Sequence, residues 1–224
     1  MVFFTDRVDA GKRLASALKG FSGKKGLVLA IPRGGVPVGF EIANALNLPL
    51  DVIIPRKIGA PDNPELAIGA VAEDGTAILD ENLVTYLGVS REYIKEETER
   101  QKHEIERRLK LYRQDTSYPN LKGLDVIVVD DGIATGSTMK AALASVKNRG
   151  AASVTVAVPV GPPSTIEELN EMADRVVCLY TPEYFQAIGE FFTDFSQTPD
   201  EEVIKLLRES KQNLARKPAG VVVV

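Results

Sequence analysis

Residues 126–138, VIVVDDGIATGST, decide how this chain folds. The first four are apolar and β-branched, which suits a strand buried on both faces. Two adjacent acids end that run, and small residues then lead into a segment with helical character. A buried strand, a small-residue loop and a helix N-terminus together form a construction that holds phosphate. Two negative charges at the mouth of a phosphate loop gain nothing from the phosphate itself. The acids therefore call for a partner of their own, either sugar hydroxyls or a metal ion.

The whole chain narrows the options. Its 224 residues, 44% of them apolar, can fill the core of one substantial α/β domain. With 27 basic against 31 acidic residues there is no basic field of the kind that nucleic-acid binding leans on, so nucleic acid is not an expected partner. The single cysteine, Cys178, can form neither an internal disulfide nor a zinc cluster, and is read as a small core residue. The opening MVFFTDRVDAG resembles neither a secretory signal nor a transit peptide. No apolar run approaches the roughly 20 residues needed to span a bilayer. A cytoplasmic protein without a membrane partner is the expectation, and the final GVVVV reads as an edge strand or a frayed end.

In chain order, Thr5 is placed to cap a first helix that ends near Leu18 and packs through Val8, Leu14 and Leu18. Residues 27–31 read as a buried strand that exits into Pro32-Arg33-Gly34-Gly35 and an apolar helix. Residues 50–54 form the next strand, completing a strand-helix-strand unit of the kind found in parallel sheets. Arg56 and Lys57 follow it, and residues 58–67 are expected to form a long exposed loop acting as a lid. Residues 68–79 read as a hairpin about Asp74-Gly75. Residues 90–114 are expected to be a solvated outer helix with a thin apolar stripe of Tyr93, Ile94, Ile105, Leu109 and Tyr112. Its i,i+4 pairs would be Glu96/Arg100 and Glu104/Arg108. His103, the only histidine, has no partner nearby in sequence and reads as a surface residue. Beyond residue 138 come a helix to about 148, a strand at 153–158, a helix with a Ser164/Glu167 capping box, a strand at 175–180 and an amphipathic helix at 199–210. Six of the fourteen aromatic residues fall within residues 180–195. That cluster suits either irregular core packing or a face for a flat ligand.

Three strand exits thus carry phosphate-like chemistry: Arg33-Gly34-Gly35, Arg56-Lys57, and Asp130 to Thr138. In an open parallel sheet the strand C-termini share one edge, where these loops can meet. Rival readings fail on the residues. There is no GxxxxGK[ST] for a P-loop, neither glycine cluster has GxGxxG spacing, and a phospho-aspartyl site would leave ATGST and PRGG without a task.

The stretch VIVVDDGIATGST resembles the ribose-5-phosphate signature of type I phosphoribosyltransferases, with Ser137 where many members have Gly. Arg33-Gly34-Gly35 is similar to that family's pyrophosphate loop, and Arg56-Lys57 resembles its Arg-Lys element. The resemblance implies an α/β, Rossmann-like parallel sheet with flanking helices, a hairpin or flexible loop, and a small hood. It implies that Asp130 and Asp131 bind the ribose hydroxyls and that Ala134, Thr135, Gly136, Ser137 and Thr138 hold the 5-phosphate. Arg33, Gly34 and Gly35, in a loop that often contains a non-proline cis peptide, would take the pyrophosphate with Mg²⁺. The metal would be held mainly by phosphoribosyl pyrophosphate (PRPP), with Asp130 or Asp131 as candidate ligands, and Arg56 and Lys57 would stabilise the leaving pyrophosphate. Glu65 or Asp62 is a candidate loop acid, and Tyr184 and Phe185 are candidates for contact with the base. The expected activity is transfer of ribose 5-phosphate from PRPP to a nucleobase-like acceptor. The alternative is a non-catalytic PRPP or nucleotide sensor. The expected organisation is a single domain over residues 1–224, with 181–224 as a candidate hood and closing helix, and a homodimer.

Overall fold

A computed structural model describes residues 3–113 and 118–216. The chain opens with α1 (Arg7–Ala17) and a short 3₁₀ turn, then β1 (Gly26–Ala30), α2 (Gly35–Leu46) and β2 (Leu50–Val52). An antiparallel unit follows, β3 (Arg56–Ala60), β4 (Asn63–Val71) and β5 (Ala77–Leu79), and then α3 (Glu81–Tyr86) and α4 (Arg91–Arg113). The second half alternates β6 (Asp125–Val129), α5 (Ser137–Asn148), β7 (Ser153–Val160), α6 (Pro163–Met172) and β8 (Arg175–Tyr180). A 3₁₀ turn at Ile188–Phe191 and α7 (Asp200–Arg216) complete it. This is the α/β architecture that the sequence predicts.

The main sheet has five parallel strands in the order β2-β1-β6-β7-β8. All four residues 126–129 are fully buried, because each face of the sheet is covered. Ile127 and Val129 join Val28, Ala30 and Val52 beneath helices α1, α2, α4 and α7. Val126 and Val128 join Leu27, Leu29 and Val156 against α5 and α6. After β1 the chain winds toward β2, and after β6 it winds the other way toward β7 and β8. The order therefore reverses between β1 and β6, and the exits of these two neighbours are the PRGG loop and the Asp130–Asp131 loop. Such a reversal opens a crevice at the strand C-termini.

Several local expectations change. Residues 58–67 form no long loop, because β3 and β4 pair across a tight turn at Pro61-Asp62. The glycines and prolines that suggest a loop instead accommodate register shifts around Gly59 and an exposed strand end at Pro64, where a missing N–H does little harm. The hairpin about Asp74-Gly75 forms as expected, with Gly69 opposite Leu79 and Val71 opposite Ala77. Asp6, not Thr5, caps α1, while the Thr5 amide donates to Asp9, and Val8 is exposed on the outer face. Pro162 takes the cap position of α6, so Ser164 lies inside the first turn and forms no capping box. β2 stops at Val52, and Arg56-Lys57 begins β3. Helix α4 buries more than a thin stripe, since Glu97, Gln101 and Arg113 are buried with Ile94, Ile105, Leu109 and Tyr112. Arg100 pairs with Glu97 and not Glu96, because Glu97 lies on the packed side, whereas Glu104 pairs with Arg108 as expected. His103 is exposed. Cys178 is half-buried against the second core cluster, and burial pushes its thiol up to about 11. The GVVVV expectation lies outside the described residues. Among these, no helix is long and apolar enough to cross a membrane.

At the far end of the sheet, Arg113 ties the hairpin unit to the main sheet. It donates to Asp51 at 2.8 Å and to the Val52 carbonyl, and lies 3.6 Å from the fully buried side chain of Glu73. Arg149, from the end of α5, donates to the same Glu73 at 2.9 Å. Burial pushes the Glu73 carboxyl up, and the two guanidiniums oppose that shift. Removing one partner of a buried charge cluster leaves the others uncompensated. Arg113→Ala should therefore lower stability by about 3–5 kcal/mol, measured by urea unfolding.

Candidate active site

The site is built where β1 and β6 end. The Pro32–Arg33 peptide is cis, and the loop it begins lies directly on the Asp130–Asp131 turn. A Cβ on Gly34 would overlap the Asp131 carboxylate, and one on Gly35 would come within 2.8 Å of the Val129 carbonyl. Only glycine permits so close an approach. The amides of Arg33 and Gly34 have no partner among the described residues, whereas the Gly35 amide is committed to the Ile31 carbonyl at 3.0 Å. The loop therefore offers two free donors beside two carboxylates.

Asp131 is held by Arg7, whose Nε donates to Oδ2 at 2.7 Å. The Asp131 amide donates to Asp130 Oδ1 at 2.8 Å. Burial and the neighbouring Asp131 carboxylate push the Asp130 carboxyl well above the usual carboxylate range. One acid is thus paired with a cation while the other is strained toward its neutral form. Both states favour ligands that bring hydroxyls or positive charge. Among the described residues no group of three or more His, Cys, Asp and Glu side chains gathers into a metal site. Two adjacent carboxylates nonetheless fit a hard cation such as Mg²⁺, which commonly takes one or two carboxylates and completes its shell with water and substrate phosphate.

Helix α5 begins at Ser137 behind Gly136, whose φ of 74° is the left-handed conformation that favours glycine. No side chain caps this helix, and the amides of Gly136, Ser137 and Thr138 have no partner among the described residues. Free amides at the positive end of a helix dipole can accept an anion. Thr135 and Ser137 set their hydroxyls 3.2 Å apart at its mouth. From behind, Thr165 of α6 braces the loop by donating to the Ala134 carbonyl at 2.9 Å.

One cleft of about 540 Å³ brings together Arg33, Gly34, Arg56, Lys57, Glu65, Asp130, Asp131 and Thr138. An adjoining lobe of about 500 Å³ is lined by Thr135 and Ser137 and shares Lys57 and Glu65 with the cleft. All three phosphate-like strand exits therefore meet. Tyr184 and Phe185 line neither space: Tyr184 is 90% exposed, and Phe185 stacks on Phe191 with centroids 5.6 Å apart. The aromatic cluster is largely packing. Phe3 stacks on Tyr180, Phe4 pairs with Phe192, and the Thr193 amide donates to the Phe4 carbonyl at 2.9 Å. The N-terminal residues and residues 188–195 thus form one unit, and Ile188 from it packs over Gly132.

Helix α4 adds residues that the sequence reading did not assign to the site. Arg56 donates to Gln101 at 2.9 Å, Gln101 donates to Glu97 at 2.7 Å, and Glu97 is held by Arg100. Burial and the nearby Arg108, Arg100 and Arg107 lower the Arg56 pKa, although Glu104 opposes this. Arg56 has a neutral partner only, so its charge is left for an anion. Arg33 lies 3.8 Å from Asp200, which also accepts a hydrogen bond from Tyr112. Burial and that bond push the Tyr112 phenol up to about 12. Glu97, Gln101, Glu104 and Arg108 recur at steps of four, three and four on one helix face, with Arg100 beside Gln101, a legible signal in retrospect. Arg7 carries no local signal at all.

Comparison with known proteins agrees with this geometry. Residues 6–191 match the phosphoribosyl transferase domain family. Two Mycobacterium tuberculosis proteins named as phosphoribosyl transferases are 42% identical over 222 residues, 99% of this chain. The chain spans half the length of these relatives. The crystal structure of TT1426 from Thermus thermophilus superposes with a TM-score of 0.80 at 42% identity, covering 93% of this chain and 99% of that one. The family match spans both strand exits that meet at the crevice, and the chain belongs to the phosphoribosyl transferase family.

Proposed function

We propose that the chain transfers ribose 5-phosphate from PRPP to a nucleobase-like acceptor, releasing pyrophosphate. The observation that carries this reading is the contact of Gly34 with Asp131, which sets free loop amides beside ribose-directed acids and one loop away from an uncapped helix N-terminus. PRPP presents three matching groups in that order: pyrophosphate, ribose hydroxyls and 5-phosphate.

In the reaction, the bond from ribose C1 to pyrophosphate breaks with its electron pair leaving on pyrophosphate, and an acceptor nitrogen bonds to C1 and loses its proton. Positive charge grows on the ribose and negative charge on the departing oxygens. Arg33, Arg56 and Lys57 are the side chains assigned to stabilise those oxygens. Gln101 fixes the direction of Arg56. Asp130 and Asp131 hold the ribose hydroxyls, and residues 134–138 hold the 5-phosphate. Bound Mg²⁺ would supply further neutralisation of pyrophosphate, with Asp130 or Asp131 available to it. Glu65, on the exposed end of β4 between the two lobes, is the candidate for receiving the acceptor's proton. The hood is assigned to residues 181–197 with the N-terminal residues paired to them, a unit that reaches the acid loop through Ile188 against Gly132 and through Arg7. Closure there would exclude water from the reactive sugar.

Mixing the protein with PRPP, Mg²⁺ and a panel of purine, pyrimidine and related bases should release pyrophosphate with at least one of them. Tight PRPP binding without release for any base would instead favour the sensor reading. Asp131→Asn should weaken PRPP binding by about 10- to 100-fold in calorimetry, the scale of a hydrogen bond to a charged group. Because the Asp130 carboxyl binds its proton well above the usual range, ribose binding that needs the ionised form should weaken as pH falls toward that raised pKa. Asp130→Asn should bind PRPP more weakly and with a flatter pH profile on the acid side, where the wild-type carboxyl takes up its proton.

A further inference from the structure

Arg7 stands 124 residues before Asp131 and 189 before Ser196 and touches both. Its Nε donates to Asp131 Oδ2 at 2.7 Å, its Nη1 donates to the Ser196 carbonyl at 2.7 Å, and its guanidinium lies 4.0 Å from the centre of the Phe195 ring. Both members of the ion pair are largely buried, with side chains 12% and 13% exposed. A surface ion pair contributes little, but this one is largely shielded from water and its cation also stacks on an aromatic face. The planar fork of an arginine suits such a three-way junction better than a lysine point charge.

We propose that Arg7 is a positioning residue that couples the hood to the ribose-binding acid. By engaging Oδ2, Arg7 fixes the Asp131 carboxylate against Gly34 and leaves Oδ1 available to a ribose hydroxyl. Through Ser196 and Phe195, the same side chain ties that segment to the acid. Whatever occupies Asp131 is therefore felt in the hood, and an acceptor can be gripped in step with the donor. The backbone links of Phe4 with Thr193 and of Thr5 with Asp194 anchor the two segments to each other, and Ile188 packs over the neighbouring Gly132, but Arg7 is the side chain of this junction that bonds to the Asp131 carboxylate itself.

The role assigned to ribose rests on the PRPP reading, whereas the coupling of Asp131 to the hood does not. Hydrogen exchange of the ligand-free protein tests the coupling. Amides of residues 193–197 should exchange at least tenfold faster in both Arg7→Gln and Asp131→Asn, and the double variant should be no faster than either. Unchanged exchange in Asp131→Asn, or additive effects in the double variant, would overturn the proposal. Calorimetry with PRPP and Mg²⁺ tests the positioning role. Arg7→Gln should weaken binding at least tenfold, and Arg7→Lys should recover part of that loss. Wild-type affinity in Arg7→Gln would overturn positioning. A wild-type protein that does not bind PRPP would refute the donor reading, while the exchange comparison would still decide the coupling.

Discussion

Nothing larger than a hydrogen atom fits between the backbone at residue 34 and the carboxylate of Asp131. That contact welds the loop after β1 to the loop after β6, and the rest of the site is arranged around it. It requires that β1 and β6 be neighbours, which the hydrogen-bonded register from Gly26 opposite Asp125 to Ala30 opposite Val129 secures. It also requires both strands to be buried on two faces, so that their exits do not drift. The continuous β-branched run at 126–129 meets that need, and helices on each side of the sheet complete it.

Electrostatics give the contact its chemical character. Two carboxylates side by side in a poorly hydrated crevice cannot both be comfortable as anions. Here one is neutralised by Arg7 and the other is driven toward its protonated form. Around them stand cations whose charges are only partly spent: Arg56 on an amide, and Arg33 at 3.8 Å from Asp200. Acids on one side and cations on the other suit a ligand that is a polyol at its centre and an anion at both ends. Helix α4 matters for this reason. Its buried Glu97 and Gln101 aim an arginine that would otherwise be free to turn toward solvent.

Much of the fold could be read from the chain because the deciding signals were local. The strand 126–129, the glycine loop at 34–35 and the Asp-Gly hairpin each carry their reason within a few residues. Other features depend on partners far away in sequence. Residues 58–67 look like a loop, yet pair as strands, with α4 packed against β3 and β5 continuing the sheet beside residues 69–71. Glu97 looks solvated among its charged neighbours until packing buries one face of α4. The three exits of the candidate site were legible as motifs, and the sheet topology explains why they meet. Tyr184 and Phe185 drew attention as aromatic residues, but stacking within the N-terminal and 180–195 unit accounts for most of that cluster. Arg7 was invisible, since its importance comes from contacts spanning more than a hundred residues.

The central claim is that one crevice receives all three parts of PRPP at once. A phosphorus NMR titration of PRPP with Mg²⁺ against the protein reads both ends of the molecule separately. The 5-phosphate and the pyrophosphate resonances should shift and broaden together, saturating at the same protein concentration, and Gly34→Ala should abolish that common saturation. Perturbation of one end alone, or an unaltered titration with Gly34→Ala, would contradict the account.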